Sequence, residues 1–286
     1  MSEKKYTLTK ETVVVKGRTL RRIQAAKDFA DVKKGDKGGF IEGEHNLSHE
    51  GNCWIYGNAM VYKGAYIDAD AAVADNAQVY GDVEVYGKVA GSAKVYDNAK
   101  IYESAVISDN AQVYDNAKIY GKVAGSAQVY DNAKIFNDTL ICDEAQVYGC
   151  AEIDGKVTGS AKVFGNAMVS NRAAVYDKAQ VYGCALVIGD KAQIYGEAHV
   201  FDGAEVYGKV FGNAQVYDNS TVYENAVIYD YAEIYGVAKV WGEVQDNARV
   251  YDSAKISEKA KVSGDVAVFQ NAYVDYIVSG NKRISE

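Results

Sequence analysis

Proline is absent from this 286-residue chain, where average usage of ~5% would place roughly 14, so every turn has to be made by other residues. Leucine, normally among the commonest residues, occurs only at Leu8, Leu20, Leu47, Leu140 and Leu186. Set against 24 Tyr and 27 Gly, that scarcity excludes a helix bundle and points to short strands joined by many turns. No apolar run approaches ~20 residues, which excludes a helix that spans a membrane. The opening MSEKKYTLTKE lacks the apolar core of a signal peptide, and the expectation is a cytoplasmic protein with no membrane partner. Cys53, Cys142, Cys150 and Cys184 make no CxxC pair and no zinc-ligand spacing, so they read as small semi-buried residues in a reducing compartment. A hydrophobic fraction of 48% and a charged fraction of 24% exclude wholesale disorder. The net charge of -8 disfavours a nucleic-acid backbone as partner.

What fills the chain instead is a six-residue unit: AKVYDN, AKIYES, AVISDN, AQVYDN, AKIYGK. Its Val/Ile recurs from Ile55 to Val274, mostly in steps of six. Five steps are four residues long (Val85 to Val89, Ile119 to Val123, Ile153 to Val157, Val206 to Val210, Val240 to Val244), and each has glycine at its centre: Gly87, Gly121, Gly155, Gly208 and Gly242. One step is seven, Val187 to Ile194. Strand alternation puts the small residue and the Val/Ile two positions later on one side of the chain. The Asp-Asn or Gly-Asn pair that follows suits a corner, because Gly and Asn tolerate positive φ. Three short strands and three corners then close a triangular coil of about 18 residues, or about 16 where a glycine permits a tighter corner. About 13 such coils, stacked ~4.8 Å apart, would make a prism ~60 Å long.

The small-x-[Val/Ile] unit resembles the hexapeptide repeat of left-handed β-helix proteins, among them trimeric acyltransferases and γ-class carbonic anhydrases. The stretch DFADVKKGDKGGFIEGEHNLSHEGNCWIYGNAMVY, residues 28–62, is similar to the opening of YdcK-like hexapeptide-repeat proteins of bacterial chromosomes, phages and prophages. These resemblances imply an all-β fold: a single-stranded left-handed parallel β-helix, a triangular prism of about 13 coils, with a small N-terminal β cap. Three segments follow: a hairpin-like cap over residues 1–36, with TVVVKG and TLRRIQA as its strands around Lys16-Gly17, the β-helix over 37–278, and a C-terminal tail over 279–286. A cap is needed because the first coil would otherwise present an unpaired edge.

Assigning every third strand to one side sorts the outward residues into columns. One column reads Tyr62, Tyr80, Tyr96, Tyr114, Tyr130, Tyr148, Phe164, Tyr182, Phe201, Tyr217, Tyr235, Tyr251, Phe269, aromatic at every rung. The other two columns accept Ala74, Ala90, Ser108, Cys142 and Thr158, or Asp68, Asp154, Ser170 and Ile188, between their aromatics. Beside the aromatic column stand Gln78, Lys94, Gln112, Gln128, Gln146, Lys162, Gln180, His199 and Gln215. Aromatic and amide ladders stabilise stacked strands by themselves. The same flat face is also a platform for another protomer, a sugar or a base.

Catalytic signals are sparse. The three histidines are His45, His49 and His199, and the zinc triad that a carbonic anhydrase resemblance would require is missing, since two of them share the first coil. His199, the one histidine inside the regular repeat, is a weak catalytic candidate, the base that an acyltransferase resemblance would place at a subunit junction. No metal site is expected, and there is no phosphate loop and no GxSxG. Between Ile55 and Val274 the one insertion is a single residue within IGDKAQ, so any pocket has to lie between subunits or at the cap. The leading expectation is a non-catalytic scaffold or binding protein of phage or prophage origin. It would form a homo-oligomer, a dimer or trimer, through the thirteen-residue aromatic face, with no cofactor. The alternatives are an acyltransferase-like enzyme that uses acetyl-CoA at a subunit interface, and a binder of a host protein or nucleotide signal.

Overall fold

The computed structural model describes residues 4–286, which divide into two compact units, one ending at Asn137 and the other running Asp138–Glu286. Apart from a 3-10 turn at Glu44–Asn46, the regular structure of the described residues is all strand. The first unit opens on a hairpin. Strands β1 (Tyr6–Val15) and β2 (Arg18–Ala25) pair antiparallel, from Val15↔Arg18 at the turn to Tyr6↔Ala25 at the open end. Lys16 and Gly17, at φ 48° and 77°, form the two-residue turn, whose twist matches that of the strands it joins. β2 pairs antiparallel with β3 (Lys37–Ile41), and β3 turns its other edge in parallel to Met60–Val61. β3 is thus where the cap becomes the first coil, and the hairpin covers the edge that an uncapped coil would expose.

From there the chain winds through strands of mostly two residues. In the first unit Lys94–Val95 lies in parallel between Gln78–Val79 and Gln112–Val113; in the second, Gln180–Val181 lies between Lys162–Val163 and His199–Val200. Three strands complete a coil, so every third strand stacks. The first unit holds five coils and the second nine, a β-solenoid of about 14 turns. This is one more turn than the hexads imply. Arg283–Ser285, within the segment read as a tail, pairs in parallel with Ala267–Phe269.

The inward positions are those the repeat marks. Ala93 and Val95, Ala111 and Val113, Ala179 and Val181, and Ala198 and Val200 are all fully buried. Each buried Val or Ile contributes about 1.5–3 kcal/mol of transfer free energy. Alanine fills most of the inward positions next to corners, with Val83, Thr139, Ser220 and Val266 in the same place on other coils. Aspartate or glycine holds most corners in the left-handed region, for example Asp97, Asp115, Asp177 and Asp218 at φ 59°, 54°, 59° and 58°. Aspartate visits that region at lower cost than most residues, and its carboxylate offsets the remainder. Oδ2 of Asp109, Asp177 and Asp246 accepts the N–H of Gly125, Gly196 and Gly264, the corner residues one coil on, at 3.0, 3.1 and 2.8 Å.

The glycines of the four-residue steps act differently, because their φ is not the constraint. A Cβ on Gly87 would stand 2.4 Å from the Tyr102 carbonyl oxygen and 2.7 Å from that of Ala105. On Gly208 it would meet the Tyr223 and Ala226 oxygens at 2.4 and 2.5 Å, and on Gly242 those of Ser257 and Ala260 at 2.3 and 2.4 Å. The tight corner draws the chain inward onto the backbone of the next coil, where only a hydrogen fits.

Candidate binding face

In the column that is aromatic at every rung, the outward residues that follow the inward Val/Ile stack in register within each unit. In the first unit the ring centroids of Tyr62, Tyr80, Tyr96, Tyr114 and Tyr130 succeed one another at 4.9, 5.1, 4.8 and 4.8 Å, with planes 1–12° apart. In the second unit Tyr148, Phe164, Tyr182, Phe201, Tyr217, Tyr235, Tyr251 and Phe269 form an equally unbroken stack at 4.8–5.3 Å. The ring spacing is that of adjacent strands, ~4.8 Å, so the backbone ladder holds the rings parallel and each covers the faces of its neighbours. The polar row keeps the same register: Gln78, Lys94, Gln112 and Gln128 pair in sequence in one unit, and Lys162, Gln180, His199 and Gln215 in the other. The remaining columns carry shorter stacks. Tyr176, Tyr195, Phe211 and Tyr229 follow at 4.9, 4.6 and 5.0 Å, Tyr102 lies 4.0 Å from Tyr120, and Tyr223 lies 4.2 Å from Trp241.

The first rung is not outward. Tyr62 is wholly buried, packed with Leu20 of β2 and Phe40 of β3, with Val13 and Val15 of β1 alongside. The hairpin curls over the start of the ladder, and Lys16 from its turn sets its ammonium 4.6 Å from the Tyr80 ring centroid. The half-buried part of the face therefore begins at Tyr80. Arg22 holds this arrangement. Its guanidinium lies 4.1 Å from the Phe40 ring centroid and donates to the carbonyls of Gly38 and Gly57 and to the Glu11 carboxylate. Partial burial in the stack pushes the phenols of Tyr96, Tyr114 and Tyr217 up to about 12, with neighbouring phenols and carboxylates adding to the shift. These phenols are therefore neutral at physiological pH.

His199 stands in the polar row with its ring edge-on to Tyr182 at 6.2 Å. His45 and His49 lie in the first coil, beneath the cap. His45 Nε2 contacts the Lys63 carbonyl at 2.8 Å, and His49 stacks on Tyr6 at 4.3 Å while its Nδ1 accepts the Lys5 N–H. Burial lowers the pKa of His49. Among the described residues no three His, Cys, Asp or Glu side chains converge as metal ligands would, and no helix is long and apolar enough to cross a membrane. The hexad pattern gave no sign of Lys5. It is buried, and its ammonium donates to the carbonyls of Glu50 and Cys53 at 3.0 Å and contacts the Cys53 thiol at 3.1 Å.

Stacked parallel coils with an aromatic spine define the class, a β-solenoid repeat protein. A family model described as the YdcK β-solenoid repeat matches residues 214–230. A curated relative named "Uncharacterized acetyltransferase YdcK", from Escherichia coli (strain K12), is 57% identical over 37 residues. That stretch is 13% of this chain and 11% of the relative. Over these stretches the chain, a β-solenoid by its fold, is similar to YdcK-like repeat proteins.

Proposed function

We propose that the chain is a non-catalytic scaffold that assembles through its aromatic face, and that the occupant of that face is a second copy of the same chain. The observation that carries this reading is the stack, half-buried from Tyr80 on, that runs unbroken within each unit. Core packing and corner geometry are common to all three sides, so they do not explain why a single column is aromatic at every rung. Stacking contributes roughly 0.2–1 kcal/mol per cross-strand pair and was open to any side. The period argues for a copy of the chain. Rings repeat every 4.8–5.3 Å along the face, and another solenoid repeats with the same spacing, so the ring edges of the two faces meet rung for rung along the whole contact. A partner without that period matches at a few rungs. Cytoplasmic location and a phage or prophage origin belong to the same proposal.

Sedimentation of the wild-type chain and of a Tyr182→Ser/Phe201→Ser/Tyr217→Ser variant tests it. The wild type is expected to be a dimer or trimer and the variant a folded monomer by circular dichroism. An unchanged assembly state in the folded variant overturns the proposal and leaves the ladder as architecture alone. A second reading is favoured by the name of the curated relative: an acyltransferase-like enzyme with its site between subunits and His199 as base. Micromolar acetyl-CoA binding by calorimetry, abolished in His199→Ala, would establish it over the scaffold.

A further inference from the structure

The short coils leave a mark on one edge of each unit. Where the chain cuts the corner at a four-residue step, longer corners on either side overhang it, and residues 33 apart meet across the gap. Ser104 contacts Asn137 at 3.0 Å, Lys191 contacts Glu224 at 3.4 Å, and Asn225 donates to Glu258 at 3.4 Å. Beneath such overhangs lie notches: about 260 Å³ at Gly87, 430 Å³ at Gly155, 350 Å³ beside Lys209 and 280 Å³ at Trp241.

Three of these notches supply their own cation. The residue after the central glycine is Lys88, Lys156 or Lys209, and each lines its notch, with Arg172 added in the second and Lys191 in the third. The fifth short coil breaks this pattern twice. Its sequence is WGEV where the others read YGKV or DGKV. The lysine has become Glu243, which is engaged by Lys261 and Tyr229. The residue before the glycine has become Trp241. The notch there is lined by Tyr223, Glu224, Asn225, Trp241 and Glu258, with no lysine or arginine. Tyr223 covers one face of the indole, at 4.2 Å and 9°. The next residue in the column is Ser257, which has no ring, and among the described residues no lysine or arginine stands over the indole. Glu224 keeps a long contact to Lys191, and Glu258 accepts only the Asn225 amide.

We infer that the notch at Trp241 binds an organic ammonium group, held against the free face of the indole with the Glu224 and Glu258 carboxylates on its rim. Tryptophan is the best of the aromatic faces for a cation. Here it is preorganised by the Tyr223 stack, and the carboxylates compensate the charge that the missing lysine supplies in the other notches. The inference is independent of the aromatic ladder, which lies on another side. The group can belong to a free alkylamine or to the lysine side chain of a protein.

Calorimetric titration of the full chain with n-butylammonium and tetramethylammonium chloride, followed in parallel by tryptophan emission, tests this, and N-acetyl-lysine amide gives the side-chain source. Saturable binding of the ammonium probes is expected, with 1-pentanol inert. Trp241→Ala should weaken it about tenfold, with partial recovery in Trp241→Phe. Glu224→Gln/Glu258→Gln, which keeps the ring stack and the fold, should weaken it roughly threefold and remove its salt dependence. Butylammonium stronger than the lysine amide points to a free amine, and the reverse points to a protein lysine. No saturable heat with any ammonium probe, binding untouched by either variant, or binding of 1-pentanol or methyl β-glucoside in place of the cations overturns the inference.

Discussion

Replacing Gly208 with alanine adds a single methyl group, but the corner is buried and the geometry makes it one of the costlier changes available. The new Cβ would lie 2.4 Å from the Tyr223 carbonyl oxygen and 2.5 Å from that of Ala226, so reaching ordinary contact requires a displacement of roughly 1 Å. Both obstacles are backbone, and neither can swing aside. The movement strains the ladder bonds that tie this corner to its neighbours, Lys209 N–H to the Ala226 carbonyl at 3.0 Å and Gln193 N–H to the Gly208 carbonyl at 3.1 Å. Overpacking of this kind costs about 1–3 kcal/mol, and each weakened ladder bond about 1 kcal/mol. Loss of unfolded-chain entropy returns about 0.4–1 kcal/mol. The net is a destabilisation of about 2–5 kcal/mol. Gly203→Ala is the control: its Cβ would first meet the Asn219 amide oxygen at 2.7 Å, a side-chain atom that can rotate away. Denaturant unfolding read by far-UV dichroism compares the two. A Gly208→Ala chain within about 0.5 kcal/mol of wild type, or a Gly203→Ala chain equally damaged, would refute the steric account of the short corners.

Two further outcomes follow from the cap and from the phenols. Deleting residues 1–36 removes the hairpin that pairs with β3 and covers Tyr62, so the truncated chain should aggregate by light scattering; a soluble, monodisperse truncation would show that the edge needs no cover. The phenols of Tyr96, Tyr114 and Tyr217 are raised in the folded chain from 10.0 to about 12. A raised folded pKa gives stability that is complete below the unfolded value and is lost as pH climbs through the folded one, so unfolding midpoints should hold to about pH 10 and fall towards pH 12. Midpoints flat across that window, or tyrosinate absorbance rising with the pKa of free tyrosine, would contradict the burial of the stack.

Much of the fold is legible because the repeat leaves few alternatives. Period-two alternation places Ala93 with Val95 inside, and the corner aspartates follow from the need for positive φ. The five four-residue steps had to be counted as full sides for the aromatic column to stay unbroken, and the stacks in both units keep that count. The identity of the outward residues sorts the three sides without knowledge of any contact. Tyr62 was legible as a member of the column but not as a buried residue. Its hexad differs from those of Tyr80 and Tyr96 in having Met60 where they have Gln78 and Lys94, a hint of cover, but the cover itself comes from Leu20 and Val13 more than 40 residues earlier.

The notches were beyond sequence reading for a related reason. A glycine step announces a tight corner, but the overhang that makes a cavity is built by residues two coils apart, such as Asn225 and Glu258. Their meeting depends on how far the longer corners project. Likewise Lys5 is an ordinary surface residue by type and becomes a buried donor only because three carbonyls and a thiol of the first coil converge on its ammonium. By itself the sequence determined what repeats: the core, the corners, the registers and the columns, each set by spacing along the chain. The tertiary structure alone decided what covers and what is left open, namely the capped first rung, the buried lysine and the free indole of Trp241. Those depend on side chains brought together from distant coils, and spacing along the chain carries no information about them.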